Sequence, residues 1–130
     1  MAVRIVRLGT ARHPKEGPRI GTVRRPPRGV PKSEFSSGNW YDVWFPVLAP
    51  SVETMKLGQA AETPAQWVAF TKKYRAEMSE SAASQTLDVL AALSKTADFS
   101  VGCYCEDEAR CHRSVLRALL AVRGAAIARE

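Results

Sequence analysis

A chain of 130 residues, 45% of them hydrophobic, is long enough to bury one core without disulfide or metal staples. No run approaches the ~20 apolar residues that span a bilayer, and the N-terminus lacks the charged-then-apolar pattern of a leader peptide, so no membrane partner and a cytoplasmic location are expected. Of the charges that sum to +6, nine cations (Arg4, Arg7, Arg12, Lys15, Arg19, Arg24, Arg25, Arg28 and Lys32) lie in residues 1–32 against Glu16 alone, which suggests an anionic partner for that third, with a solubilising basic surface as the plain alternative.

In chain order, Val3–Leu8 alternates apolar and basic residues and predicts a strand. Residues 9–17 are rich in Gly, Pro and charge and form a loop; Arg19–Val23 is a second short strand. Arg24–Pro31 contains Pro26, Pro27, Gly29 and Pro31 and predicts a stiff basic loop. Trp40–Leu48 is the most aromatic stretch and reads as a strand interrupted at Pro46 or as an extended surface segment. Ser51 is an N-cap for a short helix through Met55 and Leu57. Thr63-Pro64-Ala65-Gln66 is a capping box with Pro at the first helical position, and Trp67, Phe70, Tyr74 and Met78 follow at helical spacing. A second long helix runs over 83–94 with Leu87, Leu90, Ala91 and Leu93 inward. Phe99–Cys105 is a buried strand running into a turn, and Cys111–Val122 a helix with Val115, Leu116, Leu119 and Leu120 inward and Gly124 as its terminator. Strands alternating with helices predict a single α/β domain over 1–130, a small three-layer sandwich, Rossmann-like, with a mostly parallel sheet.

The chemistry concentrates in GCYCEDEARCHR, residues 102–113. All three cysteines lie there, and an odd, clustered count in a reducing compartment argues for thiol or metal chemistry rather than a disulfide framework. The segment sits where a strand ends and a helix begins, the usual place for a ligand in an open α/β sheet and for an anion at a helix N-terminus. Three readings stand side by side. In the first, Cys111 or Cys103 is a nucleophile beside His112, the helix dipole lowering the pKa of Cys111 and Arg110 or Arg113 clamping a phosphate or carboxylate. In the second, Cys103, Cys105, Cys111 and His112 hold a zinc ion, although the C-x-C spacing is awkward for zinc. In the third, the cysteines are small buried hydrophobes. The spacing also departs from the C-x5-R loop of cysteine phosphatases, because neither Arg110 nor Arg113 has that offset from Cys105.

Taken whole, the chain resembles the YeaO-like branch of the domain-of-unknown-function family 488. The resemblance rests on Val6-Arg7-Leu8, Arg19-Ile20, Arg24 with Pro27-Arg28-Gly29, Trp44 with Ala49-Pro50-Ser51, the Trp67/Phe70/Tyr74/Glu77 spacing, and Cys103 with Cys111-His112-Arg113. Relatives often carry Asp before the first Arg of the basic loop and Trp before its Pro-Arg-Gly; Val23 and Pro26 stand here. The resemblance implies an α/β fold and brings no reaction with it.

The basic loop is the second feature with chemical content. Its prolines pre-set the backbone, so Arg24 and Arg28 would lose little entropy on clamping an anion. The alternative is a rigid crossover whose arginines pair with Asp42, Glu77 or the acidic turn at 106–108. Trp40, Tyr41 and Trp44 are candidates for stacking on a base, or for the core. The resulting expectation is a site for a small anionic ligand, phosphorylated, nucleotide-like or carboxylated, held by Arg19, Arg24, Arg28 and Arg113 and worked on by Cys111, His112 and Cys103. The alternative is a metal-binding or nucleic-acid-associated accessory protein without catalysis.

Overall fold

A computed structural model describes residues 1–129. Four strands, β1 (Val3–Arg7), β2 (Arg19–Gly21), β3 (Val43–Trp44) and β4 (Phe99–Cys103), form one parallel sheet in the order β1-β4-β2-β3. Val101 lies between Ile5 on one side and Ile20 on the other. Because β4 is paired on both edges and covered on both faces, all five of its residues are buried, which is why it reads as a continuous apolar run rather than an alternating one.

The helices are α1 (Val52–Ala60), α2 (Pro64–Met78), α3 (Ser81–Leu93) and α4 (His112–Val122). Thr63 and Gln66 form the capping box in both directions, and Phe70, Tyr74 and Met78 line the buried stripe of α2, with Trp67 half-buried and stacked on Phe70. On α3, Leu87, Leu90 and Ala91 face inward as expected, and Ser94 just beyond its end is also buried. Leu93 does not join them: it is 46% exposed, since it lies outside the i, i+3, i+4, i+7 stripe those four residues define.

The α/β sandwich expected from the sequence is therefore present, with a layer of coil opposite the helices. Val3, Ile5, Phe99 and Val101 pack with the apolar faces of α2, α3 and α4. The other face carries Ser100 and Gly102; Ser100 donates to Glu16 in the loop between β1 and β2, and a Cβ at Gly102 would lie 2.7 Å from the Val6 carbonyl and 2.9 Å from Leu8. Trp40–Leu48 yields two strand residues followed by a 3-10 turn over Pro46–Leu48, Pro46 ending the pairing. A second, smaller apolar cluster, Leu8, Val23, Tyr41, Cys103 and Cys111, closes the end of the sheet where all four strands finish. Among the described residues no helix is long and apolar enough to cross a membrane.

Candidate functional site

The site is the junction between β4 and α4. The strand delivers Cys103 into the smaller cluster; the chain then turns through Tyr104 and Cys105 and a 3-10 turn over Glu108–Arg110, where the Asp107 carboxylate accepts from the Ala109 amide at 3.0 Å. Cys111 is the N-cap of α4, with extended backbone and no side-chain capping bond. Its sulfur faces inward instead: Cys103 Sγ and Cys111 Sγ are 2.8 Å apart, and the Cys105 amide donates to Cys103 Sγ at 3.4 Å. All three thiols are free.

His112 completes the cluster. Its Nε2 lies 2.7 Å from the Thr22 carbonyl, which can only accept, so Nε2 carries a proton. Its Nδ1 is 3.7 Å from Cys111 Sγ. Tyr74 packs edge-on against the imidazole at 5.4 Å and is anchored by its hydroxyl donating to the Leu48 carbonyl at 2.6 Å.

Protonation is distributed unevenly over the three sulfurs. Cys103 is pushed far up, first by its hydrogen bond with Cys105, then by that with Cys111 and by burial, so it keeps its proton. Cys105 is pulled down to about 3, chiefly by the hydrogen bonds from Cys103 and Cys111, with the Arg113 charge helping and burial opposing. Cys111 is also lowered, mainly by Cys103 and then by His112, against Cys105 and burial.

Access separates these sulfurs. Cys103 and Cys111 are 3% and 2% exposed, and His112 and Arg113 are buried with them, whereas Cys105 is exposed. The helix N-terminus singled out Cys111 on sequence grounds; the fold turns that thiol into the interior, and Cys105, read from sequence only as a metal ligand, is the one that solvent reaches.

Of the four arginines expected to hold an anion, one stands at the thiols. Arg113 donates through Nη2 to the Cys105 carbonyl at 2.6 Å, and its buried Nε has no partner among the described residues. Arg19 has a different task. It is 1% exposed, and all five of its N–H groups are occupied: two by the Glu16 carboxylate, the others by the carbonyls of Thr10, Asn39 and Ala11. Arg24 holds the carbonyls of Pro46, Ala49 and Pro50, pinning the segment ahead of α1. Arg28 is exposed on the basic loop. That loop does leave the sheet beside the thiols: Val23 belongs to their cluster, and the Tyr104 hydroxyl donates to the Arg25 carbonyl at 2.8 Å. The acidic partners proposed for it are mostly engaged elsewhere, Asp42 with Arg12, Glu106 with Arg7, and Glu108 with Arg117.

Two clefts lie away from the thiols. One of about 570 Å³ is lined mainly by apolar side chains of β2, β3 and α3, and one of about 280 Å³ runs along β1 with Arg4, Arg7 and His13 at its sides and the Glu16–Arg19 pair in its wall.

One family model matches residues 3–124, nearly the whole chain; its description is the active DUF488-N3 subclade. No curated protein and no solved structure matches.

Proposed function

The chain belongs to the DUF488 family, within reach of the subclade described as active, and on that premise we propose that it is a thiol-dependent enzyme acting on a small anionic, electrophilic substrate. Cys105 is the attacking thiolate. Cys103 donates the hydrogen bond that keeps Cys105 ionised, Cys111 and His112 extend that network inward, and Arg113 together with the positive end of α4 receives the anion. The observation that carries the reading is the exposed Cys105 thiol backed by the buried Cys103, Cys111 and His112, with Arg113 bonded to the Cys105 carbonyl. The match to a subclade described as active supports catalysis over a purely structural role for the cysteines.

A second reading has its own support. The ligand atoms of Cys103, Cys111 and His112 lie within 4.8 Å of one another, all three residues buried, and the imidazole is held by its other nitrogen on a carbonyl, as metal-bound histidines are. Against it, two thiolates on one tetrahedral zinc with bonds of ~2.3 Å sit about 3.8 Å apart, whereas these sulfurs are at 2.8 Å, closer than a shared zinc would hold them.

The test is the order of thiol alkylation by iodoacetamide, read by mass spectrometry, with metal content measured on protein purified without a tag. Cys105 is expected to label first, and inorganic phosphate to slow it. Labelling of Cys105 at pH 5 no faster than of an unstructured thiol overturns the proposal. One equivalent of zinc, with labelling blocked until a chelator is added, replaces it with the metal reading.

A further inference from the structure

Cys103 ends β4 and Cys111 caps α4, so their sulfurs meet where the two elements that build the site come together. Both thiols are free and buried, and their sulfurs are 2.8 Å apart. That separation is within about 0.8 Å of the ~2.05 Å of a disulfide bond, so a small side-chain adjustment closes it.

Buried thiols are inert toward reagents that stay in solvent. The third thiol supplies a way in. Cys105 is exposed, lies two residues beyond Cys103, and its own amide donates to Cys103 Sγ at 3.4 Å. Its thiol also hydrogen-bonds with both buried sulfurs. An accessible thiol poised next to a resolving thiol is the arrangement of an oxidant-sensing cysteine.

We propose that the cluster is a reversible redox site, at which a hydroperoxide oxidises Cys105 and the oxidation ends as a disulfide between Cys103 and Cys111. The inference rests on reading Cys105 as the reactive thiol of the site, and it adds where the oxidation of that thiol is resolved. First, Cys105 Sγ attacks the peroxide oxygen. The O–O bond breaks, the leaving oxygen departs as alcohol or water with the thiol's proton, and Cys105 becomes a sulfenic acid. Cys111 Sγ then attacks Cys105 Sγ; the S–O bond breaks and hydroxide leaves as water with the Cys111 proton. Finally Cys103 Sγ attacks Cys111 Sγ, the Cys105–Cys111 bond breaks, and Cys105 takes the proton that Cys103 gives up. In sum, two thiols lose two electrons and two protons, and the hydroperoxide becomes alcohol and water. The new bond lies inside the smaller apolar cluster, out of reach of solvent thiols. Reduction retraces the last step: Cys105 reopens the bond and offers an exposed disulfide to a dithiol.

The experiment treats the whole protein with one equivalent of hydrogen peroxide, caps free thiols with maleimide, and maps tryptic peptides by mass spectrometry without reduction. Cleavage after Arg110 puts Cys111 on a separate peptide from Cys103 and Cys105, so the crosslink is read directly. Wild type is expected to lose two hydrogens, to link Cys103 to Cys111, to carry maleimide on Cys105, and to recover three free thiols in dithiothreitol. Cys105→Ser should slow crosslinking about tenfold or more, since the buried pair then lacks its exposed entry. Cys111→Ser should leave a sulfenic acid on Cys105 that dimedone traps. Sulfenic or sulfinic acid on wild-type Cys105 with no crosslink overturns the resolving pair and leaves the thiol reading standing. Equally fast crosslinking in Cys105→Ser overturns the relay. A crosslink that forms only after a chelator strips zinc overturns it too, because the pair then serves as metal ligands. If peroxide modifies neither Cys105 nor the pair, this inference and the reactive Cys105 fall together.

Discussion

The pH dependence of Cys105 reactivity follows from the structure quantitatively. A free thiol ionises near ~8.5, so at pH 5 only about three in ten thousand such groups are thiolate. Cys105, held at about 3, is fully ionised there, an advantage of about 3000-fold in reactive species. Lower basicity also weakens the nucleophile: with a Brønsted coefficient of ~0.45 over about 5.5 pKa units, each Cys105 thiolate attacks a disulfide roughly 300 times more slowly. The product is a reactivity about tenfold above that of a free thiol at pH 5, a crossover near pH ~6, and about 150-fold below a free thiol at pH ~8.5. The assay is single-site reaction with a small neutral disulfide between pH 5 and 8.5, on wild type and on Cys105→Ser, and the expected profile is nearly flat. Cys103→Ala removes the leading cause of the shift and should restore a slope, whereas Cys103→Ser keeps an O–H donor and should leave the profile flatter. A wild-type rate that climbs tenfold per pH unit through this range would show that Cys105 is an ordinary thiol and refute the hydrogen-bond argument.

Two further predictions concern the scaffold that carries the site. Asp42 accepts from both Arg12 Nη atoms, the Arg19 amide and the Ser36 hydroxyl, and its carboxyl is lowered to about 2 from 3.8. A depressed carboxyl stabilises above its unfolded pKa and loses that contribution as pH falls through the folded one; with solvent screening of this exposed residue, Asp42→Asn should cost about 1 kcal/mol at pH 7 and almost nothing near pH 2, read as urea midpoints at unchanged slope. Arg19→Met strands the Glu16 carboxylate and three loop carbonyls inside the protein and should cost about 3–5 kcal/mol by urea unfolding at pH 7; a loss below about 1 kcal/mol contradicts the burial of that pair.

Much of this architecture could be read from pattern. The strand–turn–helix around the cysteines was visible because Phe99–Cys103 is a continuous apolar run and Val115, Leu116 and Leu120 recur at helical spacing; the start of α2 was visible because Thr63 and Gln66 have the right separation. Cys105 was harder. The C-x-C spacing suggests two residues on one face of a strand, but the ladder ends at Cys103, and once the chain leaves it Cys105 turns outward. Tyr41 carried no distinguishing signal, since a tyrosine seated in a core and one waiting for a base look alike in sequence.

The arginines show where pattern gives out. Arg19, Arg24, Arg28 and Arg113 were equal candidates as charges, yet what matters for binding is hydrogen-bonding capacity not already used. Arg19 has none left, and a hint of that was present: Glu16 is the single acid among nine cations and stands three residues before it, the spacing of their buried pair. Arg24 is occupied by three carbonyls that only the folded chain brings together, from residues 22 to 26 positions away. Among the described residues Arg113 alone of this set has a buried N–H without a partner, its Nε, and it stands beside exposed Cys105. Because a buried guanidinium N–H without an acceptor destabilises the empty site, an anion that supplies one binds more tightly there than the same anion at the solvated Arg28. Arg28→Ala should therefore leave phosphate protection of Cys105 within about twofold of wild type, while Arg113→Lys, which keeps the charge and loses the Nε–H, should weaken it tenfold or so.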